Sequence, residues 1–223
     1  MGWLDEYDLY LFDMDGLLVD TEPLHFEAYK LTLKNKGYIL DWTLSQYLSF
    51  AHRSSTALKE EITKQFPKIL KDASWEDIYR SKQKIYSDLA LKRDVTMMEG
   101  AKEILARVKR QNKISCVVTN SPSDHVKILI QKSDDLKLID QWIVREDYKR
   151  AKPDPSCYLL AIEKFGANKK CIGFEDSKKG VMALCQTPAQ PVWICEKNQK
   201  EIDFPKEVLH FSSLKLLLQD NGL

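Results

Sequence analysis

The chain has 223 residues, and its 34 Lys and Arg nearly balance its 33 Asp and Glu, which gives a formal net charge of +1. This balance argues against attraction to a polyanion, so we expect no nucleic acid partner. No apolar stretch approaches the about 20 residues that a membrane span needs, and the N-terminus shows neither a basic start nor an apolar signal core, so we expect no membrane partner.

The cysteine pattern indicates whether the protein belongs to a reducing or an oxidising compartment. The chain has five cysteines, an odd number, and no two of them form a C-x-x-C pair. Such a set favours neither a disulfide framework nor a zinc site. We therefore expect a reduced, cytoplasmic protein, which we treat as a monomer.

The first predicted element is a buried parallel strand at residues 9–12, followed by Asp13-Met14-Asp15-Gly16. The loop at the carboxyl end of such a strand is where open α/β sheets carry their chemistry. We expect Asp13 at the sheet tip and Asp15 turned back toward the same site, with Gly16 allowing the turn. The alternative for this motif alone is a solvated Asp-Gly turn.

A helical block follows the first strand. Thr21 can cap a helix whose apolar residues Leu24, Ala28 and Leu31 share one face and which ends at Gly37. Residues 38–92 contain no convincing strand but further helical stretches, the clearest of which begins at Ser74. We predict an inserted all-helical domain over residues 21–94 and a core domain of residues 1–20 and 95–223.

Strands and helices alternate after the insert. Strands are predicted at 114–118, 142–144, 171–174, 192–195 and 208–211, and a final helix at 214–218. Ser121-Pro122 is typical of a helix cap with a first-turn proline, and Asp154-Pro155 opens another helix. This alternation predicts an α/β fold with a doubly wound parallel sheet and right-handed crossovers.

Polar residues follow several of these strands. A parallel sheet would bring together Asp13 with Asp15, Thr119, Lys152, and Glu175 with Asp176. Each has an ordinary alternative: a turn, a solvated lysine, or an acidic helix start. Together, the carboxylates suit Mg²⁺ and the amides after Thr119 suit a phosphate. The set predicts phosphoryl transfer to an aspartate.

The same residues carry a family resemblance. In order and spacing the chain resembles the haloacid dehalogenase-like (HAD) hydrolase superfamily, with a match at Asp13-Met14-Asp15-Gly16, Thr119-Asn120-Ser121, Lys152-Pro153-Asp154-Pro155 and Phe174-Glu175-Asp176-Ser177. Residues 12–22 and the helical insert are similar to β-phosphoglucomutase and small-metabolite phosphatases with a helical cap. Two departures, Met98-Glu99-Gly100 and Ala151, lie outside the chemistry.

The resemblance implies a role for each motif residue. Asp13 would be the nucleophile, and Asp15 the acid that protonates the leaving group and then the base that activates water. Thr119 and the Asn120 amide would hold phosphate, with Lys152 neutralising charge. Mg²⁺ would be bound by Asp13, by the Asp15 backbone carbonyl, and by Glu175 and Asp176.

The insert would then act as a lid whose residues select the substrate. The candidates are His25, His52 and Arg53. His25 faces the site or is an ordinary half-buried histidine, and Arg53 is an anion clamp or a solvated residue. We interpret the aromatic residues Trp42, Tyr47, Trp75 and Tyr79 as the core of the insert.

The sequence thus predicts a Mg²⁺-dependent phosphatase that acts on a small phosphorylated metabolite, such as a sugar phosphate or a nucleotide, through an aspartyl-phosphate. Asp15 argues against a dehalogenase, because halide leaves without a proton. One alternative is a β-phosphoglucomutase-type phosphosugar mutase. Another, from a different class, is a phospho-accepting or ligand-binding regulatory protein on the same fold.

Overall fold

A computed structural model of the chain describes residues 2–53, 56–195 and 203–222. Its strands form one six-stranded sheet in the order β3-β2-β1-β4-β5-β6, and every neighbouring pair is parallel. The strands are β1 (Leu9–Phe12), β2 (Ile114–Val118), β3 (Gln141–Ile143), β4 (Cys171–Glu175), β5 (Gln190–Ile194) and β6 (Leu209–Phe211). The predicted α/β doubly wound sheet is confirmed, and strand ends differ from the predictions by one or two residues.

Helices cover the sheet and form the insert. In the insert they are α1 (Glu22–Lys34), α2 (Leu44–Ala51), α3 (Ala57–Gln65), α4 (Ile69–Asp72) and α5 (Trp75–Lys92). Around the sheet they are α6 (Ala101–Arg110), α7 (Ser123–Lys132), α8 (Ser156–Phe165), α9 (Lys178–Cys185) and α10 (Leu214–Asp220). Within the described residues, no helix is long and apolar enough to cross a membrane.

Strand β1 lies at the centre of the sheet, and both of its faces are buried. Tyr10 and Phe12 pack into the apolar layer on one face, where Phe12 stacks on Phe174 with ring centroids 5.0 Å apart. Leu9 and Leu11 pack into the layer on the other face. Burial on both sides explains the continuous apolar run in the sequence, and it fixes the position of the residues that follow Phe12.

The insert has an apolar core of its own, formed by the buried residues Tyr29, Leu33, Leu40, Tyr47, Leu58, Ile62, Ile69 and Ile78. Its two connections to the sheet domain run side by side. Asp20 N donates to Thr96 O at 2.9 Å, and Met98 N donates to Leu18 O at 2.9 Å. A separate core reached through two adjacent segments supports the proposal that residues 21–94 are an inserted domain.

Candidate active site

The carboxyl ends of β1, β2 and β4 meet at one edge of the sheet. Asp13 follows β1, Thr119 follows β2, and Glu175 ends β4. Because β1 lies between β2 and β4, the chain order reverses here, and such a switch point is where open α/β sheets bind ligands. The sheet topology therefore brings the predicted motif residues together.

Lys152 comes from the loop before α8 rather than from the segment that directly follows a strand. It is 1% exposed, and its Nζ lies 2.5 Å from Asp13 Oδ1 and 2.7 Å from Glu175 Oε1. A third donation goes to Val118 O at 2.7 Å. Burial alone would lower the pKa of Lys152, but the two carboxylates raise it well above its ordinary value. Lys152 is therefore a fixed positive charge beside Asp13.

Glu175 is fully buried, and both of its carboxylate oxygens accept hydrogen bonds. Besides Lys152, the Tyr158 hydroxyl donates to Oε1 at 2.5 Å, and Ser177 Oγ donates to Oε2 at 3.2 Å. Glu175 thereby holds Lys152 in place. Tyr158 was not recognised in the sequence, where it is one of several apolar residues of a helix face.

Four carboxylates, those of Asp13, Asp15, Glu175 and Asp176, lie in this region, and Lys152 forms ion pairs with two of them, Asp13 and Glu175, so the region carries excess negative charge. Burial, together with Glu175, Asp176 and Asp15, raises the pKa of Asp13, although Lys152 opposes the shift. Burial also raises the pKa of Asp176 to about 7. Carboxylate oxygens of Asp13, Glu175 and Asp176 lie within 4.8 Å of one another. A cluster of hard oxygen ligands with uncompensated charge fits Mg²⁺.

Asp15 has a different environment, made of hydroxyls and an imidazole. Thr21 Oγ1 donates to its Oδ1 at 2.5 Å, and Ser121 Oγ donates to Oδ2 at 2.7 Å. His25 Nε2 lies 3.3 Å from Oδ1, and Thr119 Oγ1 donates to Oδ2 at 3.2 Å. Burial alone would raise the pKa of Asp15, but His25, Thr21 and Ser121 hold it well below its usual range.

This arrangement corrects two predicted helix caps. Neither Thr21 nor Ser121 makes a side-chain cap: α1 begins after Thr21 without a cap hydrogen bond, and α7 begins after Pro122. Their hydroxyls donate to the Asp15 carboxylate instead. A hydrogen bond to an ionised carboxylate is stronger than the hydrogen bond between a neutral hydroxyl and a backbone amide. Both residues therefore belong to the site: Ser121 was part of the quoted Thr119-Asn120-Ser121 motif, but the contact of either hydroxyl with Asp15 was not predicted.

His25 connects Asp15 to a buried lysine of the insert. His25 Nδ1 lies 2.6 Å from Lys82 Nζ, and Lys82 is 4% exposed. Burial lowers the pKa of Lys82 to about 7 and also lowers the pKa of His25. Of the two interpretations of His25, the structure favours the one in which it faces the site. Lys82 had a signal in the sequence, since it stands on the apolar stripe between Ile78 and Tyr86.

A cavity of 790 Å³ separates the sheet edge from the insert, and Asp13, Asp15, Thr119, Asn120, Lys152 and Asp176 all line it. The insert adds His25 and His52 to its walls, and cationic residues at Lys59, Lys82, Arg145 and Lys179 also line it. The aromatic wall consists of Tyr29, Tyr47, Trp75 and Tyr79. Tyr79 is 41% exposed, so its interpretation as part of the insert core is wrong.

The other two predicted specificity residues differ in position. His52 hydrogen bonds to Glu22, and its Nε2 lies 3.7 Å from Asp176 Oδ2, so it reaches the sheet edge. Arg53 does not line the cavity; its guanidinium lies 3.4 Å from Glu61 and is half exposed. Contact between Arg53 and the substrate stays a prediction.

Known proteins resemble this chain along most of its length. Residues 10–188 match the haloacid dehalogenase-like hydrolase family. The phosphorylated carbohydrates phosphatase of Thermotoga maritima is 30% identical over 182 residues, which are 78% of each chain. The (DL)-glycerol-3-phosphatase 2 of Arabidopsis thaliana is 27% identical over 180 residues, which are 78% of this chain and 73% of that protein.

A solved structure shares the fold. The crystal structure of CbbY from Rhodobacter sphaeroides in complex with phosphate aligns with a TM-score of 0.76 and 20% identity. The alignment covers 97% of this chain and 100% of that chain. The likeness therefore extends over the sheet and the helical insert together.

Proposed function

The chain belongs to the haloacid dehalogenase-like hydrolases, and we propose that it is a Mg²⁺-dependent phosphatase of a small phosphorylated metabolite. One observation carries the proposal: Asp13 and Asp15 line the same cavity but are held by different partners, Lys152 for Asp13 and hydroxyls with His25 for Asp15. Two adjacent carboxylates in different environments can take different roles in one reaction.

In the first step, a carboxylate oxygen of Asp13 attacks phosphorus and the ester P–O bond breaks, which leaves an aspartyl-phosphate. Asp15 gives its proton to the leaving alkoxide. Since the pKa of Asp15 is low in the free protein, we propose that it takes up this proton when the phosphate dianion arrives beside Thr119, because a nearby like charge raises a carboxyl pKa.

In the second step, ionised Asp15 removes a proton from the water that attacks phosphorus, which releases inorganic phosphate and restores Asp13. Throughout, Lys152 offsets negative charge next to Asp13, and the amide of Asn120 with the hydroxyl of Thr119 would hold phosphate oxygens. Bound Mg²⁺, held by Asp13, Glu175, Asp176 and the Asp15 carbonyl, would neutralise charge on the phosphoryl group.

The cavity supports a small substrate. A volume of 790 Å³ between the sheet edge and the insert suits a metabolite rather than a phosphoprotein segment. The cations Lys59, Lys82, Arg145 and Lys179 in its wall favour a sugar phosphate or a nucleotide-like ester. We propose that residues 21–94 are a cap that excludes water and that the protein works as a monomer. Its cysteine pattern supports a cytoplasmic location.

The test is phosphate release from sugar phosphates, nucleotides and short phosphorylated acids, with and without Mg²⁺. We expect hydrolysis only with Mg²⁺, and none from Asp13→Asn, which keeps the size of the side chain. Asp124→Asn, the same change at an exposed position of α7, is the control and should keep full activity. Turnover by a folded Asp13→Asn variant would contradict the covalent mechanism.

A mutase would give a different product. The segment after β2 is Thr119-Asn120-Ser121-Pro122, without the lysine that mutase relatives carry there. With β-glucose 1-phosphate, Mg²⁺ and a bisphosphate primer, we therefore expect free phosphate rather than glucose 6-phosphate. Fast formation of glucose 6-phosphate with little phosphate release would show a mutase.

A further inference from the structure

Three aromatic rings from three helices form one stack beside the site. His25 of α1 lies on Tyr86 of α5, with centroids 4.2 Å apart and planes 16° apart. Tyr86 in turn lies on His125 of α7, at 4.1 Å and 26°. At one end of the stack, His25 Nε2 faces Asp15. The other end, His125, stands in the first turn of the helix that follows the predicted phosphate-binding loop.

His125 belongs to a stripe by which α7 contacts the insert. The stripe consists of His125, Ile128 and Lys132, spaced by three and four residues, so that all three share one face of α7. His125 Nε2 lies 3.3 Å from Gln83 O, and Ile128 packs against the apolar cluster of Tyr86. Lys132 Nζ donates to Ala90 O at 2.9 Å, near the end of α5. Helix α7 is therefore fixed along α5.

The His125 ring is suited to be a stacking platform. It is 2% exposed, and burial, with smaller contributions from His25 and Lys82, lowers its pKa to about 3. The imidazole is thus neutral at physiological pH and does not compete with His25 for Asp15. Its Nδ1 makes no hydrogen bond with any residue that the structure describes. His125 acts on the site through the flat face of its ring, which stacks on Tyr86.

We propose that His125 is a positioning residue for the acid and base chemistry of Asp15, an inference that rests on the proposed function. Its ring holds Tyr86 against His25, and Tyr86 fixes the plane of His25. In that plane, Nε2 faces Asp15 while Nδ1 faces Lys82. Without the platform, Tyr86 can tilt toward α7, and His25 can then turn away from Asp15.

The test uses two esters of similar size that differ in leaving group. Phenyl phosphate needs a proton on its departing oxygen, whereas p-nitrophenyl phosphate releases a stable anion and needs little acid assistance. The ratio kcat/KM reports the steps up to departure of the leaving group. Misplacing Asp15 should therefore lower kcat/KM for phenyl phosphate more than for p-nitrophenyl phosphate. A general loss of fold would lower both equally.

Two variants remove the ring. His125→Ala deletes the platform, and His125→Leu keeps comparable apolar volume without a flat face, which guards against a folding defect. For both we expect kcat/KM to fall about tenfold for phenyl phosphate and by less than about threefold for p-nitrophenyl phosphate, part of the effect that a general acid can supply. His125→Phe restores a ring and should return the ratio of the two esters to the wild-type value.

Lys132→Met is the matched control, because it removes the hydrogen bond from α7 to Ala90 O at the far end of the stripe and removes no group that packs against the three rings. It should change both esters in equal proportion. A proportional loss in His125→Leu, or a His125→Phe variant that fails to restore the ratio, would overturn the positioning role and leave the phosphatase proposal standing. A wild-type protein that hydrolyses with Mg²⁺ neither these esters nor any of the sugar phosphates, nucleotides and short phosphorylated acids would instead refute the phosphatase proposal itself.

Discussion

A Cβ atom on Gly180 would lie 1.9 Å from the carboxyl carbon of Glu175. Helix α9 therefore passes over the buried carboxylate at a distance that only glycine permits. Since Glu175 also accepts hydrogen bonds from Lys152 and Tyr158, the absence of a side chain at Gly180 helps to place the lysine beside Asp13.

Gly180→Ala should lower both activity and stability. On helix propensity alone the change would stabilise the fold by about 0.5–1 kcal/mol. Overlap with Glu175 outweighs this gain, because forcing a methyl group into a packed site costs about 1–3 kcal/mol. Urea denaturation measures the change in stability, and kcat measures the change in activity.

Gly37→Ala is the control. Its Cβ would meet no atom within 4 Å, so only the strain of its φ of +83° remains, and kcat should not change. A Gly180→Ala protein as active and as stable as wild type would contradict this account.

Tyr158→Phe should reduce kcat while the protein stays folded. The change removes the hydroxyl that donates to Glu175 Oε1 and leaves a buried carboxylate with one partner fewer, at a cost of about 1–3 kcal/mol. Tyr10→Phe is a matched control, since it removes a buried hydroxyl that donates to Leu4 O, far from the cavity. If both variants lose the same stability and neither loses kcat, Tyr158 has no role in placing Glu175 and Lys152.

Mg²⁺ should stabilise the wild-type protein but not Asp176→Asn. A ligand that binds only the folded state at about a hundred times its Kd adds about 2.7 kcal/mol, which for a chain of this size is a rise in Tm of roughly 5–10 °C. Replacing Asp176 removes a charged oxygen ligand from the cluster with Asp13 and Glu175. Thermal melts with and without Mg²⁺ measure the shift, with Asp124→Asn as control. An equal shift in Asp176→Asn would place the metal elsewhere.

The free energy of unfolding should contain a pH-dependent contribution from Lys82. Burial lowers the pKa of Lys82 from 10.5 to about 7 in the folded state. Between these two values the unfolded chain binds a proton that the folded chain does not, so stability rises with pH over this window, by up to about 1.4 kcal/mol per pH unit. Lys82→Met removes the contribution.

We therefore expect the stability difference between wild type and Lys82→Met to shift in favour of wild type as the pH rises from about 7 to 10. Urea denaturation at several pH values measures it. Lys102→Met, the same change at an exposed position of α6, is the control. A constant difference for Lys82→Met would mean that Lys82 titrates as in the unfolded chain.

The sequence by itself determined the sheet and the residues at its edge. Apolar runs such as residues 9–12 are buried on both faces, so local pattern is enough to predict them as strands. Parallel pairing then brings Asp13, Thr119 and Glu175 to one edge whatever the details of packing. Lys152 and Asp176 were predicted at the same edge, and the family resemblance implied their roles.

Only the tertiary structure decided which partner each polar side chain takes. Ser121 looks like a helix cap in its local sequence, yet its hydroxyl donates to Asp15, which is 106 positions away along the chain. The local sequence leaves open whether Arg53 is an anion clamp or a solvated residue, and in the structure its guanidinium lies 3.4 Å from Glu61. Lys82 turns inward to His25. Local sequence governs backbone conformation through short-range sterics and hydrogen bonds. The partner of a side chain depends instead on through-space distances that form only when the insert packs against the sheet, and these distances decide the environment of Asp15.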